Sequence, residues 1–182
     1  MLAFAWLWLT PLVQFWGAAL GPLRPHGYPT GDFAPSLRHF VAGLAACFLP
    51  LALPARYYAS WEGRRGRRAL EALGVRQFKR IATNGDVVNR FGRREDSGYR
   101  RVRDTASAGA WAREARGAER NHLVFLLMGL LTAAHAWRIG WLGWAAGLTA
   151  SNVIFNAYPI LLQRYNRIRA SRVCPEWARP PR

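Results

Sequence analysis

The sequence predicts an all-α integral membrane protein with about four transmembrane helices, each of the roughly 20 apolar residues that a crossing needs. Three observations carry that expectation. Half of the 182 residues are hydrophobic, yet the formal net charge is +16. A soluble globule does not combine those two values, whereas alternating apolar and basic blocks do. The apolar residues gather in four blocks. The basic residues, finally, fall on one side of a membrane once four crossings are counted.

The blocks are residues 2–20, 39–58, 122–137 and 140–163. The first and last are long enough outright. The second contains Pro50 and Pro54, and the third has a short purely apolar core, so both need their flanks. Block one lacks a basic leading region and is long for a signal sequence, although Gly17-Ala18-Ala19 offers a cleavage site. The whole chain, residues 1–182, reads as one membrane domain, with a cytoplasmic segment 59–121 and a basic tail 164–182.

Residues 55–121 hold 17 of the 26 basic residues against eight acidic ones, and the tail holds six more. The loop 21–38 has only Arg24 and Arg38, and the hairpin after block three only Arg138. Four crossings collect 23 basic residues on one side. The positive-inside rule makes that side the cytoplasm of a bacterial-type inner membrane, with both termini in it. Trp137, Trp141 and Trp144 crowd the outer hairpin and read as interfacial anchors.

The middle segment is not read as a linker. Residues 61–73 form a short basic helix ended by Gly74, Asn84-Gly85-Asp86 is a turn, and 104–120 is a helix running into block three. Trp61, Phe78, Phe91, Tyr99 and Trp111 lie among many arginines, as a layer on the inner membrane face would require. The arginine runs 64–68 and 100–103 suit nucleic acid in principle, but beside four apolar blocks anionic lipid is the nearer partner. No nucleic-acid partner is expected.

Several chemistries lack their residues. Cys47 and Cys174 should lie at different depths, so no disulfide is expected, and no CxxC or Cys/His cluster suggests zinc. With only His26, His39, His122 and His135, a second Glu-x-x-His pair for a di-iron site is missing, and no metal is expected. No GxSxG elbow, phosphate loop or His-x-x-x-x-Asp pattern occurs. His135, deep in block three, reads as a packed residue.

Two features remain. Thr149, Asn152, Asn156, Pro159, Gln163 and Asn166 follow one another at steps of three, four, three, four and three, which on a helix keeps them on one side. Such a stripe in lipid calls for a protein interior or a wet cavity. Glu119 and His122 are three apart where the charged segment enters the membrane. A carboxylate beside an imidazole can fix its tautomer and raise its basicity, making His122 a general base for a hydroxyl. The alternative is a helix start in which Glu119 pairs with Arg116 or Arg120 and His122 sits among headgroups. If the last helix packs against block three, Asn156, Gln163, Asn166 or Arg164 could supply donors to an oxyanion.

The run Gln163-Arg164-Tyr165-Asn166-Arg167-x-Arg169, preceded by Asn156 and a nearby proline, resembles the C-terminal signature of the glycosyl-4,4'-diaponeurosporenoate acyltransferase family of carotenoid biosynthesis. Glu114-x-Arg116-x-Ala-Glu119-x-x-His122 looks like that family's glutamate-rich motif, and Phe78-Lys79-Arg80 like an upstream aromatic-lysine motif. The resemblance covers roughly residues 60–170. It implies transfer of a fatty acyl group to a sugar hydroxyl of a membrane carotenoid glycoside. Glu119 and His122 would be catalytic. Lys79, Glu114, Arg116, Asn152, Asn156, Gln163, Arg164, Tyr165, Asn166 and Arg167 would bind substrate. An acyl donor such as acyl-CoA would be co-substrate, with no further cofactor. Two other classes stay open on the residues alone: a non-enzymatic membrane scaffold, and a basic adaptor that recruits an acidic partner.

Overall fold

The structure, a computed structural model, describes residues 9–10, 12–17, 37–59, 64–82 and 104–173. The described residues are helical, with no strand among them. After a helical stretch within 9–17 come α1 (Leu37–Ala46), a 3-10 turn (Leu49–Ala52), α2 (Ala55–Ala59), α3 (Arg64–Ala72), α4 (Val75–Ile81), α5 (Thr105–Arg138), α6 (Leu142–Asn152), a π turn (Val153–Ala157) and α7 (Tyr158–Val173). Most of block one, the turn at 84–86, His26, the run 100–103, Trp61, Phe91, Tyr99 and Cys174 lie outside the described residues.

Local chemistry sets these bounds. α5 opens with a capping box: Asp104 Oδ1 accepts from the Ser107 N–H at 2.7 Å, and Ser107 Oγ accepts from the Asp104 N–H at 3.0 Å. It closes with a Schellman motif. Gly140 sits at φ 78° in the left-handed region, the Trp141 N–H donates to the Ala136 carbonyl, and the Gly140 N–H donates to Trp137. Gly74, at φ 77°, ends α3 as the sequence predicts.

Block two is not one helix. Pro50 and Pro54 each lack an N–H, and the chain breaks into α1, the 3-10 turn and α2 around them. Block three is the second half of the 34-residue α5. Among the described residues one helix, Leu142–Arg172, which contains most of block four, has the length and hydropathy of a membrane span, against the four expected; 33% of its apolar window is buried. The stretch Arg38–Ala52, α1 with the 3-10 turn, is apolar but shorter than a membrane span. Within the long helix, Pro159 cannot donate to the Phe155 carbonyl. The backbone accommodates it with the π turn at 153–157, a widening often found where a helix carries function.

Two compact units interleave along the chain, Met1–Ala52 with His122–Ala157 and Leu53–Asn121 with Tyr158–Arg182. The first is held by Phe15, Ala133, Ala136, Ile139, Ala145 and Leu148, with Trp16 and Trp141 against them. Trp16 stacks on His135 at 5.2 Å and donates to Thr132 Oγ1 at 2.8 Å. Trp137 remains 72% exposed, whereas Trp141 is part of the core as well as of the hairpin. In the second unit, Leu70 of α3 and Val75 of α4 pack on Leu162, Tyr165 and Ile168 of α7.

Candidate active site

The first unit contains a directed chain of hydrogen bonds. Asn152 and Asn156 stand one turn apart across the start of the π turn, and both are buried. Asn152 Nδ2 donates to the Leu126 carbonyl of α5 at 3.0 Å. Asn156 Nδ2 donates to Asn152 Oδ1 at 2.8 Å. Asn156 Oδ1 faces His122 Nδ1 at 3.3 Å.

The terminal carbonyl decides every proton in this chain. A backbone carbonyl only accepts, so Asn152 must turn its amide nitrogen to Leu126 and its oxygen to Asn156. Asn156 must then give its nitrogen to Asn152 and its oxygen to His122. The imidazole therefore carries a proton on Nδ1, and the neutral ring keeps its lone pair on Nε2. Sequence spacing pairs Glu119 with His122; in the structure the Nδ1 partner is Asn156.

Gly129 makes room for this arrangement. A Cβ there would stand 2.5 Å from Asn152 Cγ and 2.6 Å from both terminal atoms of its amide. Gly129→Ala is therefore expected to destabilise the protein by about 1–3 kcal/mol through overpacking. Gly117→Ala, on the same helix with nothing within 4 Å of the added carbon, is expected to stabilise it by up to about 1 kcal/mol. Thermal unfolding of the two variants in detergent checks the opposite signs.

The second unit holds an ionic cluster around Glu119, which is wholly buried. Arg164 Nε donates to Glu119 Oε1 at 2.9 Å, and Arg167 Nη1 donates to Oε2. Arg164 also donates to the Tyr57 hydroxyl at 2.7 Å. The alternative drawn from the sequence, Glu119 paired with Arg116 or Arg120, is replaced by these partners from the last helix. A one-turn spacing marks which side chains share a face but does not rank partners from another helix. Arg116, Arg120 and Arg167 lie 5.4, 5.4 and 5.3 Å from the centre of the Tyr58 ring. Arg120 entered only as a possible partner of Glu119, and Tyr57 and Tyr58 were not among the residues the sequence singles out. Their only signal is an aromatic pair just before the charged segment.

The remaining candidates have plain positions. Tyr165 donates its hydroxyl to Glu71 Oε1 at 3.1 Å, where Arg67, bonded to the same oxygen at 2.8 Å, holds the Glu71 carboxyl below the usual carboxylate range. That ion pair sits at the surface and contributes little to stability. Asn166 Nδ2 reaches Gln163 Oε1 only at 3.5 Å. Lys79 is half-buried on α4, Glu114 is exposed on α5, and Thr149 is exposed with its hydroxyl on the Ala145 carbonyl. The polar stripe thus begins outside and turns inward at Asn152. A cavity of about 550 Å³ opens beside the hairpin, lined by Gln14, Phe15, Trp141 and Trp144 among others, with no titratable side chain among the described residues that line it.

Comparison with curated proteins and with solved structures finds no match. The family model described as glycosyl-4,4'-diaponeurosporenoate acyltransferase matches residues 54–176, a range that contains every candidate residue named above. The match spans well over half of the chain, and the protein belongs to the glycosyl-4,4'-diaponeurosporenoate acyltransferase family, an acyltransferase family of carotenoid biosynthesis.

Proposed function

We propose that the protein moves a fatty acyl group from an activated thioester donor, such as acyl-CoA, onto a sugar hydroxyl of a glycosylated carotenoid or a similar lipid glycoside. The observation that carries this reading is the chain Leu126–Asn152–Asn156–His122, which presents one imidazole nitrogen as a base. Family membership sets aside the scaffold and adaptor alternatives.

In the proposed reaction the sugar oxygen attacks the thioester carbonyl while its proton passes to His122 Nε2. The tetrahedral intermediate then expels the thiolate, which takes the proton back from the imidazolium. One ester bond forms, one thioester bond breaks, and the base is regenerated. Asn156 orients the ring, in the part that the sequence reading assigned to Glu119. Glu119 holds Arg164 and Arg167, and Lys79, Glu114, Arg116, Gln163, Tyr165 and Asn166 are proposed substrate contacts.

A membrane setting supports both greasy substrates. We infer four crossings with the arginine-rich segments in the cytoplasm, the topology that best explains the charge asymmetry. The long helix Leu142–Arg172 supports it, since only 33% of its apolar window is buried and Leu142, Val153 and Ile154 face outward. Apolar side chains so placed suit lipid. The test is mass spectrometry of lipid and pigment extracts from cells with and without the gene. A glycosylated carotenoid or lipid heavier by one fatty acyl group, only where the gene is present, is the expected result. Identical extracts would overturn the reading.

A further inference from the structure

Tyr58 is fully buried, and three guanidinium groups surround its ring. Arg167 shares the carboxylate of Glu119 with Arg164. Arg120 is held differently. Its Nε donates to the Tyr58 hydroxyl at 3.1 Å and its Nη2 to the Leu53 carbonyl at 3.3 Å. Both acceptors are neutral, and among the described residues no carboxylate meets it. Arg120 is thus a half-buried, twice-anchored cation with no carboxylate beside it among the described residues.

The cations around Tyr58 repel one another, and the repulsion is strongest where the surroundings are apolar. Composition within this unit points the same way. Residues 53–121 and 158–182 hold 23 basic residues and nine acidic ones, so one-to-one pairing would still leave fourteen cations. A planar guanidinium presents parallel N–H donors at the spacing of phosphate oxygens. Arg116 and Arg120 leave the same helix one turn apart and converge on one ring, each guanidinium carbon 5.4 Å from its centre.

We propose that Arg116 and Arg120, held over Tyr58, bind a phosphate group, and that this phosphate belongs to the acyl donor, a thioester of coenzyme A or of 4'-phosphopantetheine. The naming of the donor rests on the acyl-transfer reading above. An anionic lipid headgroup offers the same chemistry. The inward set of these side chains, turned onto a buried ring, favours the donor; Arg68, Arg76 and Arg113, which are exposed, are the ones placed to meet lipid.

The test is calorimetric titration of coenzyme A into the full chain in neutral phosphatidylcholine nanodiscs, repeated with phosphatidylglycerol added. Arg120→Gln and Arg116→Gln should each weaken coenzyme A binding at least tenfold in the neutral discs. Equal binding by the variants, or no binding by the parent chain, would overturn the proposal. So would a variant that keeps its affinity for coenzyme A and loses only a dependence on phosphatidylglycerol, since the phosphate would then be a headgroup. Where Arg120→Gln does not fold, Arg120→Lys carries the test, because it keeps the charge and loses the fork: weaker binding supports the site and unchanged binding refutes it. The titration needs no turnover. A chain that binds coenzyme A through Arg120 but acylates no lipid glycoside keeps this site and refutes the acceptor.

Discussion

His122→Gln is expected to lower the rate of acyl transfer by about 10²–10⁴-fold, the usual contribution of a positioned general base. Glutamine keeps a polar side chain of similar reach and can still bond Asn156, so the fold should persist and KM should change little. Only the titrating nitrogen is lost. The parent enzyme should also slow as the medium is acidified, because a base must be neutral to take a proton, whereas the residual activity of the glutamine variant should lack that acidic limb. Asn156→Leu leaves the imidazole in place but removes the acceptor that selects its Nδ1–H, so it should cost less rate than His122→Gln. Steady-state kinetics on the purified enzyme decide the matter. Full activity in His122→Gln would sink the mechanism.

Glu119→Gln is expected to act chiefly on folding, with a loss of about 3–5 kcal/mol, because it leaves the charges of Arg164 and Arg167 buried without their shared carboxylate. Thermal unfolding in detergent should show a large fall in midpoint, or expression should fail. Adding Arg167→Gln removes one stranded charge and should recover part of the loss, a coupling that independent sites would not show. A Glu119→Gln enzyme of parental stability would refute the structural role. Any loss of activity in this variant must therefore be referred to the amount of folded protein.

The structure shows which parts of the architecture were legible in the residues. Gly74 marked a helix end, because a left-handed turn leaves a residue-level signature, and Gly140 ends α5 in the same conformation. Asn152 and Asn156 stood out because amides are conspicuous in an apolar run. Their partner did not. The Leu126 carbonyl is main chain and carries no sequence signal, yet it sets the polarity of the whole hydrogen-bond chain. Gly129 was equally silent, since its importance lies in a close approach of another helix. Proline signalled a disturbance at Pro50, Pro54 and Pro159 but not its form, breaks at the first two and a widened turn before the third. Glu119 was conspicuous in the sequence but its ionic partners were not, because Arg164 lies 45 residues away and pairing at that range is decided by packing.

The bond between Glu119 and the last helix also fixes an order of events during synthesis. Arg164 and Arg167 follow Glu119 by 45 and 48 residues. Until they leave the ribosome, the carboxylate has neither of its partners and must remain in contact with water. The second unit therefore closes only after α7 has been made. A nascent chain halted before residue 164 would expose Glu119, Tyr57 and Tyr58 together, a surface that quality-control proteases can read as unfinished.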